Sequence, residues 1–272
     1  MRRRLSLLFG SFLLGGVAAI ALLSLFYLPA PPEAMNFSIR LAPPSWSHPL
    51  GTDLYGRDVL SRLMVGAQNS LLSGILALGV AASLGIPLGA LAALQGGWLE
   101  ELVMRLFDSL YSFPVVLLAL LLAEIAGASL WTAMIAIGLA SAPSLARLTR
   151  ASLLALLPQP FVEAARALGA SSPRILLCHL LPNALGPLLV QSTQILANAI
   201  LADAGLSYLG LGVQPPTPSW GSMLHEAQGY LPLDPWGVLW PGLAIAITVL
   251  GANLLGDGLR DLWDPRSRRR SR

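Results

Sequence analysis

Long uncharged stretches alternate with short polar ones along the chain. Residues 5–28 carry no charge. At about 1.5 Å per helical residue they cover the roughly 30 Å of a bilayer's hydrocarbon core. Apolar runs of similar length follow at residues 71–94, 104–125, 130–148, 185 to about 211, and 236–255. The pattern predicts six membrane-spanning helices. A cleaved leader would have an apolar region of about 7–15 residues with small residues behind it. Residues 5–28 are longer and are followed by prolines 29, 31 and 32, so they read as a retained first helix. Gly85 and Pro87 allow a kink in the second span, since neighbouring helices can satisfy the backbone groups a proline frees. Residues 95–101 form a turn with an interfacial Trp98. Asp108 and Arg105 stand at i, i+3 near the start of the third span, and Glu124 near its far end falls at headgroup depth. Gly127-Ala128-Ser129 makes a tight connection to the fourth span.

The polar intervals divide the chain. Residues 1–30 form an N-terminal transmembrane helix and 31–65 an external segment. Residues 66–260 form a five-helix core that includes a polar loop at 149–183, and 261–272 form a basic tail. In the external segment, Pro49 and Gly51 supply turn chemistry. From Asp58 on, Val59, Leu60, Leu63 and Met64 mark an amphipathic helix lying at the surface. His48, Asp53 and Asp58 have no second histidine nearby, so a solvated loop is the better reading than a metal site. Residues 213–235 are rich in proline and tryptophan. Their stretch from Gln214 to Gly221 reads as irregular outer loop.

The 149–183 loop is longer than a reversal of direction needs, since most connections run to a handful of residues. Pro158 and Pro160 stop the preceding helix. Phe161, Ala164, Ala165 and Leu168 then recur at i, i+3, i+4 and i+7, one face of a short helix. Glu163 and Arg166 lie off that face and can pair. Gly169 suits the left-handed residue that closes a helix. Ser172 reads as an N-cap and Pro173 as the first residue of a second helix, to about Leu181.

Composition supports the membrane reading: 55% of residues are apolar, 11% are charged, and the mean hydropathy is +0.67. All 17 basic residues are arginine. With the N-terminus inside, 14 of them fall on inner segments and only Arg40, Arg57 and Arg62 on outer ones. That bias predicts both termini and the 149–183 loop in the cytoplasm. The net charge of +3 therefore reflects topology and not nucleic-acid binding. Cys178 is the sole cysteine, which excludes an intrachain disulfide and a cysteine metal cluster. No Walker phosphate loop occurs and there is no lysine to serve one, so the chain is not itself an ATPase. Neither His-Glu-x-x-His nor Gly-x-Ser-x-Gly occurs, and the three histidines are far apart in sequence, so no catalytic site is expected.

A carboxylate at mid-membrane costs a few kcal/mol and so faces protein or water. Asp203 is the clearest case. On the same helix Gln191, Gln194 and Asn198 form a polar stripe that either lines a translocation path or holds helices together.

Several motifs now agree in order. Glu163-Ala164-Ala165, three residues, Gly169 and a distal Leu181-Pro182 resemble the cytoplasmic coupling loop of ATP-binding-cassette (ABC) importer permeases. His48-Pro49-Leu50-Gly51-Thr52-Asp53 with Gly56-Arg57-Asp58 resembles a signature of one permease in dipeptide, oligopeptide and nickel importers, with Tyr55 where a polar residue is common. Asp203 to Gly212 match that branch except that glutamate is usual at the first position. The run from Gly210 to Gly221, Asp257-Gly258-Leu259-Arg260-Asp261 and Asp264-Pro265 extend the resemblance over about residues 48–265. It implies the all-α, six-helix, MetI-like fold of type I ABC importer permeases in the bacterial inner membrane. It implies a second homologous permease, two ABC ATPases and an extracytoplasmic solute-binding protein as partners, with no nucleic acid. Glu163, Ala164, Ala165, Arg166, Leu168 and Gly169 would couple to the ATPases. This chain would bind no cofactor, and ATP and Mg would be consumed by the ATPases. The cargo would be a dipeptide or oligopeptide, with nickel or another small solute as the alternative. A secondary transporter or channel without ATPases, or a membrane scaffold, is the reading from another class.

Overall fold

The structure, a computed structural model, describes residues 2–263. All regular elements among them are helical. They are α1 (Arg2–Leu23), a 3-10 turn (Phe37–Ile39), α2 (Val59–Gln95), α3 (Gly97–Tyr111), α4 (Val115–Ala126), α5 (Leu130–Leu156) and α6 (Pro160–Ala167). Then come α7 (Ser172–Ile175), a π-helical turn (Leu176–Leu180), α8 (Leu181–Tyr208), α9 (Trp220–Gln228) and α10 (Trp236–Trp263). Five helices are long and apolar enough to cross a membrane, or six if α3 and α4 count as one bent span. The basic tail from residue 264, with Asp264-Pro265, lies outside the described residues.

Small residues hold the bundle together. On α2, Ala77, Ala81, Gly85 and Gly89 recur at every fourth position on the side that meets α5. Gly138, Ala142 and Ala146 of α5 do the same on the side that meets α2. A Cβ added at Gly85 would stand 2.8 Å from the Ala142 carbonyl oxygen, so only glycine permits this approach. Within lipid there is no hydrophobic drive between helices, and close backbone approach supplies the packing energy instead. The same device joins α1 to α10, where a Cβ at Gly258 would meet Leu7 at 2.6 Å. Both helices align from Leu7–Gly258 to Leu13–Gly251, so they run antiparallel.

Several features differ from the sequence expectation. The amphipathic stretch from Asp58 is not a separate surface helix but the first turns of α2, with Asp58 as N-cap accepting from the Ser61 N–H at 2.7 Å. Nothing between Val59 and Ile86 breaks the helix, and Trp220 covers this region by packing against Gly66. The third span is two helices bent by 90°. Pro114 is the cause: it biases Phe113 away from helical dihedrals, and its own ψ of 132° is extended. Arg105 does not pair with Asp108. It pairs with Glu101, while Asp108 approaches Arg147 at 3.8 Å. The stretch to Gly221 is not wholly irregular, because Trp220 and Gly221 open α9 behind a Ser219 capping box.

The second helix of the polar loop is also not separate. It begins one residue early, at Ser172 with Ser171 as N-cap, and runs on through Tyr208. Pro182 has no N–H to give, and a π turn absorbs the defect through Leu181 N–H bonding to the Leu176 carbonyl. Asn183 Nδ2 donates to the His179 carbonyl at 2.6 Å, occupying another freed acceptor.

Candidate functional site

Helix α6 stands at the bundle end that also carries the C-termini of α2, α5 and α10. Leu157 ends α5, and Pro160 occupies the first turn of α6, where a missing N–H costs nothing. The helix closes with Gly169 at φ +81°. The Gly169 N–H bonds the Arg166 carbonyl at 2.9 Å and the Ala170 N–H bonds the Ala165 carbonyl at 3.0 Å, a Schellman pair. Both ends of α6 are thus set by local chemistry.

Its buried face is Val162 and Ala165, packed with Leu153, Ile175, Leu180 and Ala184. The spacing put Phe161, Ala164, Ala165 and Leu168 on one face. Only Ala165 of that set is buried; Phe161 and Ala164 are exposed, and Leu168 is 88% exposed. Glu163 and Arg166 are both exposed and make no ion pair with each other or with any other described residue. The short helix is anchored on one side, and the other presents Phe161, Ala164 and Leu168 beside one acid and one arginine. Nothing lies within 4 Å of a Cβ placed on Gly169.

The polar residues of α8 separate into two faces. Gln194 and Asn198 are exposed and Gln191 half-buried, one side of the helix. Gln191 reaches Ser144 of α5 at 3.5 Å. Asp203 is on the opposite side, 1% exposed, where Ser207 donates to its Oδ1 at 3.3 Å and Ser73 of α2 faces it. Asp203 Oδ2 and Ser73 Oγ otherwise lack partners. Asp203 therefore sits between α2 and α8, while the glutamines and Asn198 face outward from the bundle. Glu124 lies exposed near the end of α4.

At the other end of the bundle, the external segment is not a solvated loop. Thr52, Asp53, Arg57, Asp58 and Arg62 are all buried. Arg57 Nε donates to Asp53 at 2.6 Å and its Nη2 pairs with Glu226 of α9. Arg62 Nη2 donates to the same Glu226 carboxylate at 3.0 Å. His48 Nδ1 lies 2.9 Å from Asp58. No cluster of three potential metal ligands occurs among the described residues. Burial, with Asp53, Glu226 and Asp234 nearby, pushes the Tyr230 hydroxyl up to about 12, so it keeps its proton. Sequence spacing hid this network because its members are more than 160 residues apart. Arg57 and Arg62 with Asp53 were the visible half; Glu226 was missed.

Residues 85–269 match the profile of the family described as binding-protein-dependent transport system inner membrane component. A dipeptide transport system permease protein of Alkalihalophilus pseudofirmus is 43% identical over 85% of this chain and 76% of its own length. A putative peptide permease protein of Brucella suis is 42% identical over 96% of this chain and 87% of its own. The glutathione transport system permease protein GsiD of Escherichia coli is 45% identical over 82% and 74%. Among solved structures, the inward-facing MetNI methionine ABC transporter contains a chain of like fold. It has a TM-score of 0.61 at 23% identity, covering 72% of this chain and 93% of that one.

Proposed function

The chain belongs to the binding-protein-dependent transport system inner membrane components, and from that premise we propose that it carries peptides as one of two permeases. It is a multi-pass inner-membrane permease of an ABC importer. The names of its relatives point to short peptides as cargo. We read both termini and α6 as cytoplasmic, on the arginine bias. The partners would be a second homologous permease, two ABC ATPases and an extracytoplasmic solute-binding protein. The chain itself would catalyse no reaction and bind no cofactor; ATP and Mg would belong to the ATPases.

One observation carries the coupling role: α6 is held by Val162 and Ala165 yet turns Phe161, Ala164 and Leu168 away from its own chain. Glu163, Arg166 and Gly169 complete the surface that would sit in an ATPase cleft. ATP-driven closure would then move α6 and rock the spans between inward- and outward-open states. Gln191, Gln194 and Asn198 would face the path or the second permease, because amides exposed at membrane depth are tolerated against protein or water and not against hydrocarbon. Asp203 would hold α8 to α2.

The test is reconstitution of the four-part transporter in proteoliposomes with its binding protein. Uptake of a labelled dipeptide that requires ATP and the binding protein is the expected result. Uptake that proceeds without ATPases would overturn the assignment.

A further inference from the structure

On the α6 half of the bundle, α5, α8 and α10 line an open cleft of about 440 Å³. Leu148, Pro187 and Trp263 give it apolar walls, and Gln191, Gln194 and Arg260 give it polar ones. Its volume falls within the roughly 300–1,000 Å³ of small-ligand sites. Its depth is set by Gly186: a Cβ there would stand 2.9 Å from the Trp263 ring, so the indole closes down on the α8 backbone.

The polar groups in this cleft are largely uncommitted. Arg260 forms no ion pair and no hydrogen bond with any described residue, and neither does Gln194. Gln191 has only the long contact to Ser144. A guanidinium presents a planar fork that matches a carboxylate bidentately. A primary amide donates and accepts, as a peptide bond requires. The cleft is continuous with the exposed Gln191–Gln194–Asn198 face of α8, which hydrocarbon would not cover. We infer that this cleft is a substrate site on the inward half of the path, with Arg260 receiving the C-terminal carboxylate of a short peptide and Gln191 and Gln194 its backbone. The inference rests on the peptide reading above and adds the group that is recognised and the residues that recognise it.

The test uses the complete transporter in nanodiscs of zwitterionic lipid, without nucleotide. Leu148→Cys in a Cys178→Ser background supplies one thiol in the cleft wall, and its alkylation by a charged maleimide is timed. Dialanine should slow alkylation, and dialanine amide should need about tenfold higher concentration to do so, the worth of one charge-assisted hydrogen bond. Arg260→Gln should remove the difference between the two peptides, and Arg260→Lys should restore part of it. Equal protection by peptide and amide, or a preference that survives Arg260→Gln, would overturn the inference. So would protection by added anionic phospholipid in place of peptide, which would assign the guanidinium to a headgroup. ATP-driven dipeptide uptake by the parent transporter is measured in parallel. Normal uptake with no carboxylate preference refutes this site alone, whereas no uptake and no protection refutes the peptide reading as well.

Discussion

Single side chains decide what α6 and α8 can do. Ala164 points out of α6 into space free of its own chain, so a large residue there leaves the fold alone. Ala164→Phe should therefore reach the membrane at the parent level, yet lower ATP-driven uptake tenfold or more while ATP hydrolysis continues. Uptake at the parent rate would remove Ala164 from the contact. Gly169 differs, because its φ of +81° is the left-handed region, where a side chain costs about 1–2 kcal/mol. Asp203 is 1% exposed, between α2 and α8. Asp203→Ala would take the acceptor from the Ser207 hydroxyl and leave a void, at about 1–3 kcal/mol, read as a lower melting temperature. Asp203→Asn keeps an acceptor for Ser207 and should lose less. An asparagine variant as unstable as the alanine one would point to the charge itself.

Elements explain which expectations the structure kept. Gly169 as helix terminator and Pro158 as the stop to α5 were legible because such signals are local chemistry, whereas Pro160 as the first residue of α6 was not foreseen. The apolar spans were legible because length and hydropathy suffice. The 90° bend was not, since an unbroken apolar count hides Pro114. Which side of α6 meets the bundle was not legible, because periodicity fixes which residues share a face and not which face is buried; Val162 settled that. The α9 clamp was invisible because Glu226 reaches back across the sequence to Arg57 and Arg62. Glu226→Gln would leave two buried guanidinium groups facing a neutral amide. Breaking a buried pair costs about 3–5 kcal/mol, and partial exposure of Glu226 places this case toward the lower figure. The variant should loosen the external segment, read as faster amide exchange over residues 41–58. Unchanged exchange there would show that α9 is held by Trp220 alone.

At the scale of the molecule, one end of the bundle carries a rigid ionic clamp and the other a proline- and glycine-bounded helix. Between them runs the α2–α5 seam of small residues, from Ala77 and Gly138 to Gly89 and Ala146. Gly85→Leu would force that seam apart at Ala142 and should abolish stable insertion; a well-folded variant would show that the seam tolerates a wider spacing. The proposed orientation rests on the arginine bias, and the proposed transport role on the α6 end meeting a motor in the cytoplasm. A photo-crosslinker placed at Leu168 in the assembled transporter examines both at once. Capture of the ATP-hydrolysing subunit is the expected result, with a yield that changes when ATP is bound. Capture of the external binding protein, or of no ATPase in either nucleotide state, would contradict it.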